Sequence, residues 1–561
     1  MRRFATLTLF CTFFSYGCEG ELDDVIPCTA DYDCPAGQTC NIEDALNGLC
    51  EDAVAGSEKN FGEIELDFTE GSEVYMLSVY DIPTEVEVSA DYVSFELSGA
   101  GSGNALRLNS RSNAYEMDPT EAQRWQSRFA HERLRHEGIE RRVQALRAGA
   151  EVGRYVPGLL RNNCGECGNT QMCWQGSCTD IVSVAMGNGG IVNGTLVDVV
   201  SSGDLSVNVV LDNADSTTQT QSDVLSAAND FLSTLQSELN ILGKTSYDTD
   251  LDRDGDGRLT IIFSNNTSNG IQGDVVGWFD YRDFLPNSSA RATGNEADIL
   301  WSRVPGSGDT TMAAAVGTLA HEFAHLFSYG VRVEASGEAA RREVLWLDEG
   351  IAHLMEDLTG WGDSNIPNVA VALDDWEEGH FATTTDSNEQ RGQAYLLLRY
   401  LVDQQASGAS AANASSVESA ATSIVSTLIS EESLGFDHSL FTNTGASGLA
   451  SWLQAIHVSG NSDVLSSSQT ETYLPTGAHA ETGQTQGFNG YAERDEASGS
   501  SIELEGPSSE DIDDFSSGFS GEVYQSGSAY FLISAGDTES LTLTGKADAA
   551  YDIRMHAWQV E

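Results

Sequence analysis

Across residues 57–98 apolar and polar positions alternate: Ile64, Leu66 and Phe68, then Val74, Met76, Leu77 and Val79, with turn residues between the runs. A period of two sends side chains to opposite faces and predicts strands with one buried face. From Pro119 to Ala150 the spacing changes. Trp125 and Phe129, then Ile139, Val143 and Leu146, recur at helical intervals and predict one long helix. A strand is expected at Leu205–Leu211, a helix over Gln221–Leu242, a strand at Leu259–Phe263, and helices from Thr311 to about Leu453. Residues 461–561 return to alternation, as in Tyr530–Ile533 and Leu541–Thr544, with abundant Gly and Ser. That tail reads as a β-sandwich-like appendage. The expected fold class is α+β and multidomain.

Length agrees, since 561 residues suggest about three to four domains. The 86 acidic residues outnumber the 28 basic ones for a net charge of −58, and hydrophobic residues make up 40%. The chain can therefore bury cores, but it lacks the basic footprint nucleic acid requires, and anionic lipid would repel it. Only Lys59, Lys244 and Lys546 are lysines; the remaining bases are arginines. Eight of these arginines lie between Glu121 and Arg154, on the predicted helix and just beyond it. An ion-paired strut is the plain role for that segment, and an inhibitory or cleavable propeptide is the sharper one.

The start of the chain changes the compartment. Arg2 and Arg3 precede an apolar run, Phe4–Phe14, and then Ser15-Tyr16-Gly17-Cys18. This is the order of a secretory leader over residues 1–17, and no later stretch reaches the ~18 apolar residues a membrane span needs. Cys18 after Gly17 is similar to a bacterial lipoprotein cleavage site, so the only expected membrane contact is a lipid on Cys18. Export to the cell surface or medium is the expectation. Of ten cysteines, Cys11 lies in the leader and Cys18 is the lipidation candidate. The remaining eight form two groups of four: Cys28, Cys34, Cys40 and Cys50, then Cys164, Cys167, Cys173 and Cys178. In an oxidising compartment these read as disulfide modules over 18–55 and 161–180. Zinc is the alternative for the second, because Cys164-Gly165-Glu166-Cys167 has metal-ligand spacing.

Candidate chemistry concentrates at Thr318-Leu319-Ala320-His321-Glu322-Phe323-Ala324-His325. On a helix, His321 and His325 project from one face and can share a zinc ion. Glu322 lies one step round, where it can act as general base towards a zinc-activated water. A second helix beginning near Asp348 would bring Glu349 back as third ligand, leaving a fourth position open. Helix capping is the alternative role for Asp348 and Glu349. Glu356 and Asp357 are candidates to accept the second ring N–H of a ligating histidine. In residues 248–258, Asp252, Asp254 and Asp256 alternate before Gly257 and Leu259, like the first half of an EF-hand loop without its bidentate Glu. Calcium with a stabilising role is one reading and a solvated turn the other.

These segments resemble the hyicolysin family of secreted bacterial zinc metallopeptidases over roughly residues 200–455. The likeness extends to Asp252–Phe263, Gly277-Trp278-Phe279-Asp280, Asn295–Leu300 and Gly392–Leu401. It implies a zincin-like domain over 181–460, with zinc on His321, His325 and Glu349, and Glu322 as catalytic base. His353 departs from the thermolysin-like pattern, which has an Asp there to orient a ligand. The other expected divisions are a β-rich domain over 56–115, the arginine-rich segment over 116–160, and a β-rich domain over 461–561. The expected function is hydrolysis of protein or peptide substrates by a secreted or surface-tethered endopeptidase. Tyr329 and Tyr395 are candidate oxyanion donors outside the chosen site. An aminopeptidase is disfavoured, because only Gly294-Asn295-Glu296 stands where such enzymes carry Gly-x-Met-Glu-Asn. A surface adhesion lipoprotein with a vestigial site is the remaining alternative, opposed by the intact four-residue set.

Overall fold

The computed structural model describes residues 27–28, 38–41, 48–52, 58–67, 74–83, 92–100, 119–148 and, short gaps apart, 167–560. The chain forms two units, residues 1–58 and 59–561. In the first, β1 (Pro27–Cys28), β2 (Gln38–Asn41) and β3 (Gly48–Asp52) make an antiparallel sheet ordered β1-β3-β2, with Cys40 opposite Cys50 in register. The leader, Cys18, Cys34 and Cys164 lie outside the described residues, as do the side chains of Cys28, Cys40 and Cys50.

The second unit starts with β4 (Glu58–Asp67), β5 (Val74–Asp81) and β6 (Tyr92–Ala100), followed by α1 (Pro119–Arg147). A hairpin of β7 (Met172–Trp174) and β8 (Ser177–Thr179) carries the Cys167–Cys178 disulfide, and Cys173 is disulfide-bonded as well. The zinc alternative at Cys164 and Cys167 is thereby set aside, because the Cys167 sulfur is bonded to Cys178.

A six-stranded sheet follows, built from β9 (Ile181–Ala185), β10 (Ile191–Ser202), β11 (Leu205–Asp212), β12 (Leu259–Phe263), β13 (Gly277–Phe279) and β14 (Ile299–Ser302). Its order is β13-β14-β12-β11-β10-β9; β11, β12 and β14 are parallel, and β13 is an antiparallel edge. The crossover from β11 to β12 is α2 (Thr218–Ile241), whose start is capped by Thr217. Alternation decides the two faces. Val207, Val209, Ile261 and Phe263 join α2 in one core, while Val210 and Ile262 join Trp278 and Trp301 in another.

Six helices follow among the described residues: α3 (Met312–Tyr329), α4 (Leu345–Leu358), α5 (Ile366–Asp374), α6 (Asn388–Ser407), α7 (Ala414–Ser430) and α8 (Ser439–Val458). Thr311 caps α3 by accepting from the Ala314 N–H at 3.0 Å, fixing where this helix starts against β13 and β14. Among the described residues no helix is long and apolar enough to cross a membrane.

Two short hairpins, β15 (Gly477–Ala478) with β16 (Thr485–Gln486) and β17 (Glu493–Asp495) with β18 (Ser501–Glu503), precede β19 (Glu510–Asp511), β20 (Phe519–Tyr524), β21 (Ser528–Ser534), β22 (Ser540–Asp548) and β23 (Ile553–Gln559). The strands from 58–100 do not stand apart from these. The sheets run β19-β21-β5-β23 and β20-β6-β22-β4, so β5 lies between β21 and β23, and β6 between β20 and β22. The separate β domains expected over 56–115 and 461–561 are corrected to one sandwich built from both. Alternation reports that a strand has a buried face; it carries no record of which strand completes the sheet.

Candidate metal centre

α3 carries His321 and His325 one turn apart on the face that α4 covers, and α4 presents Glu349 from its first turns. His321, Glu322 and Glu349 are fully buried and His325 nearly so. The two histidine Nε2 atoms stand 3.0 Å apart. Glu349 Oε2 is 3.3 Å from His321 Nε2, and its Oε1 is 3.5 Å from His325 Nε2. These buried groups can hold a metal ion.

Each ligand candidate has a support behind it. His321 Nδ1 bonds Glu356 Oε1 at 2.6 Å, and His325 Nδ1 lies 3.0 Å from Asp348 Oδ2. Glu356 therefore fills the orienting role that the sequence left between two carboxylates. Asp357 instead pairs with Arg399 and accepts the Gly487 N–H. His353 packs its ring 4.7 Å from that of His321 and 3.2 Å from Glu356, and burial drives its pKa well below the usual histidine value. Arg391 from α6 reaches Glu349 Oε2 at 2.7 Å while bonding Asp386 through Nε and Nη2.

Electrostatics set the four residues apart. Burial, then Arg128, pushes His321 down to about 4. Burial and Arg135 oppose a proton on His325, but Asp348 and Glu349 outweigh them and push it up to about 10. Burial also works against ionised Glu349, yet Arg391 and then His325 hold its carboxyl well below the usual range. Burial, followed by repulsion from Glu132, pushes Glu322 up to about 7. The Glu322 Oε2 accepts the Phe279 N–H of edge strand β13 at 2.8 Å, whereas its buried Oε1 makes no hydrogen bond among the described residues.

The arginine-rich helix α1 lies over this centre. Arg135 Nη2 is 3.1 Å from Glu349 Oε1 and 3.4 Å from Asp348 Oδ2, and its Nη1 is 3.5 Å from Glu322 Oε2. His136 Nε2 is 3.2 Å from Asp348 Oδ2, with Arg342 on its Nδ1 at 2.7 Å. The sequence marked this helix by its charge and did not single out Arg135, Arg391 or Asp348 as neighbours of the site. The only signal was arginine density in an otherwise acidic chain.

A second cluster joins the acidic loop to a residue 46 positions beyond Asp252. Asp252, Asp254 and Asp298 each offer an oxygen, all within 4.8 Å of one another. Asp298 reaches the loop because β14 pairs in parallel with β12, where Thr260 opposes Ile299. Asp256, expected to be the third ligand, is corrected: its carboxylate accepts from Asn208 Nδ2 at 3.0 Å, Cys173 N at 3.4 Å and Arg258 N at 2.9 Å. It ties the second cysteine group to the sheet. Asp254 is 1% exposed and its Oδ2 makes no hydrogen bond among the described residues. Among the oxyanion candidates, the Tyr329 hydroxyl is engaged by Glu334, and Tyr395 is buried.

No protein-family model matches the chain, and no curated protein matches it.

Proposed function

We propose that the chain is a zinc endopeptidase, secreted or tethered at the cell surface, with the zincin-like domain and disulfide-rich modules that the hyicolysin resemblance implies. The observation that carries this reading is the spacing of the donor atoms: the two Nε2 atoms stand 3.0 Å apart, with one Glu349 oxygen 3.3 Å from His321 and the other 3.5 Å from His325. Ligands placed tetrahedrally at zinc's usual bond lengths stand about 3.3 Å apart. One carboxylate beside two imidazoles is also a donor set suited to zinc.

Zinc at these residues would polarise a peptide carbonyl and acidify a water molecule. His321, His325 and Glu349 would hold it; Glu356 and Asp348 orient the two imidazoles so that their Nε2 atoms face inward. Glu322 keeps one oxygen fixed by the Phe279 N–H and the other free to take a proton. Its pKa of about 7 suits both accepting that proton and returning it to the leaving amine. β13, as an antiparallel edge, offers backbone groups along which an extended substrate can add as a strand.

The test measures bound zinc and digestion of casein by the full chain. Zinc is expected at one ion per chain, lost in His321→Ala. Glu322→Gln should keep the zinc while turnover falls by about 10²–10⁴-fold. Equal turnover in Glu322→Gln would overturn the mechanism.

Calcium at Asp252, Asp254 and Asp298 completes the cofactor reading. The support is three clustered carboxylates from segments leading into neighbouring strands, one with a buried oxygen that has no hydrogen bond among the described residues. Calcium is expected to raise the melting temperature of the wild type and of Asp256→Asn, but not of Asp298→Asn. A calcium-dependent rise that survives Asp298→Asn counts against the site.

A further inference from the structure

We infer that α1 is an intramolecular inhibitor, holding the metal centre closed with Arg135 as the residue that engages the catalytic carboxylates. This rests on the peptidase reading above and adds its regulation.

Three layers of contact point to a helix fitted to this site. At its N-terminal end, Trp125 and Phe129 pack together and both face the Arg391 guanidinium, 5.9 and 5.1 Å from the ring centres. Arg391 is the residue that reaches Glu349. In the middle, Arg135 lies among Glu132, Glu322, Asp348 and Glu349, and Arg128 comes within 4.0 Å of Glu322. Towards the C-terminus, Arg142 forks onto Glu334 at 2.8 and 2.9 Å, and Arg147 bonds the Ala340 carbonyl at 2.6 Å.

A strut needs no such placement. Surface ion pairs stabilise little, and Arg141, 67% exposed beside Glu137, illustrates that kind. Arg135 is instead almost wholly buried, with its charge directed at the groups the proposed chemistry uses. The helix also stands against the edge strand: His131 packs on the Trp278 ring at 6.1 Å. Gly138 marks a second close approach, because a Cβ there would lie 2.4 Å from the Tyr281 ring. Glycine inside a helix lowers its stability, so its presence suits a surface that must come this near. Substrate adding along β13 would compete with α1 for the same ground.

The experiment compares full-length wild type with Arg135→Ala, Arg142→Ala and, on the exposed side of the helix, Arg133→Ala, each first shown to melt cooperatively. A short peptide hydroxamate is titrated into the zinc-loaded proteins by calorimetry. Casein turnover is measured, and amide exchange is followed at residues 277–281 without need of metal. Arg135→Ala and Arg142→Ala are expected to bind hydroxamate about tenfold more tightly, as expected for losing a charge-assisted contact that favours the closed form. Turnover and exchange should rise with them, and Arg133→Ala should match wild type. Should Arg135→Ala fail to fold, Arg142→Ala decides, since it loosens the helix away from the centre. Folded variants with wild-type hydroxamate affinity and wild-type exchange overturn the inference. Tighter binding with no casein cleavage in any variant would leave the inhibitory helix standing and remove the endopeptidase.

Discussion

At His321 the chemistry depends on a neighbour that binds no metal in the proposed site. Glu356 accepts from its Nδ1 at 2.6 Å and so fixes the ring with Nε2 towards Glu349. Behind Glu356 lies Glu238 of α2, fully buried, with neither oxygen hydrogen-bonded among the described residues. Burial and then the Glu356 charge raise its pKa well above the usual carboxylate range. Glu356→Gln keeps the shape of this arrangement and removes its charge. Zinc affinity is then expected to fall by about 10–100-fold, as measured by competition with a chromophoric chelator. Unchanged affinity would show that His321 is oriented by packing alone.

Among the elements, α6 matters because it carries Arg391 to Glu349, and its position depends on how closely it meets α5. Gly392 is the point of contact. A methyl group there would lie 2.4 Å from the Asn368 carbonyl oxygen and 2.6 Å from the Ala372 Cβ. In an open helix, Gly→Ala stabilises by up to about 1 kcal/mol. Here the sign reverses, because a rigid backbone oxygen must move. Gly392→Ala is expected to destabilise by roughly 1–3 kcal/mol in urea unfolding. A gain in stability would mean that α5 and α6 can separate freely.

On the scale of the whole second unit, the two ends of the chain close one sandwich, and Asp81 sits where they join. At the end of β5 it accepts the Ser526 N–H at 3.0 Å, while its own N–H donates to the Gly527 carbonyl at 3.1 Å. Burial raises its pKa to about 6, against the backbone bond from Ser526 that lowers it. A carboxyl whose folded pKa is raised contributes most while protonated, below the unfolded value. That contribution is lost as pH rises from about 4 to about 6. Asp81→Asn removes this dependence and leaves the rest of the chain's titration unchanged. Relative to wild type, the variant should therefore gain roughly 2–3 kcal/mol between pH 4 and pH 7.5. A stability difference that stays constant with pH would contradict the burial of an ionisable Asp81.

Much of this architecture was legible from residue order. Period-two and helical spacing located β11, β12, α1 and α2 to within a few residues, since burial of one face imposes a repeat on the chain itself. The same holds for His321, Glu322 and His325, whose juxtaposition is a property of one helix. Glu356 was within reach for a similar reason, being on the same helix as Glu349. Asp298, Arg135 and Arg391 were not legible as partners of their sites, and neither was the pairing of β5 and β6 with the C-terminal strands. Those contacts join segments far apart in sequence, and no local repeat encodes which distant surface a buried face or a charge will meet. The sequence alone determined the elements and a set of candidate ligands. Only the tertiary structure, by packing α1 across α3 and α4 and β14 beside β12, decided which charges face one another.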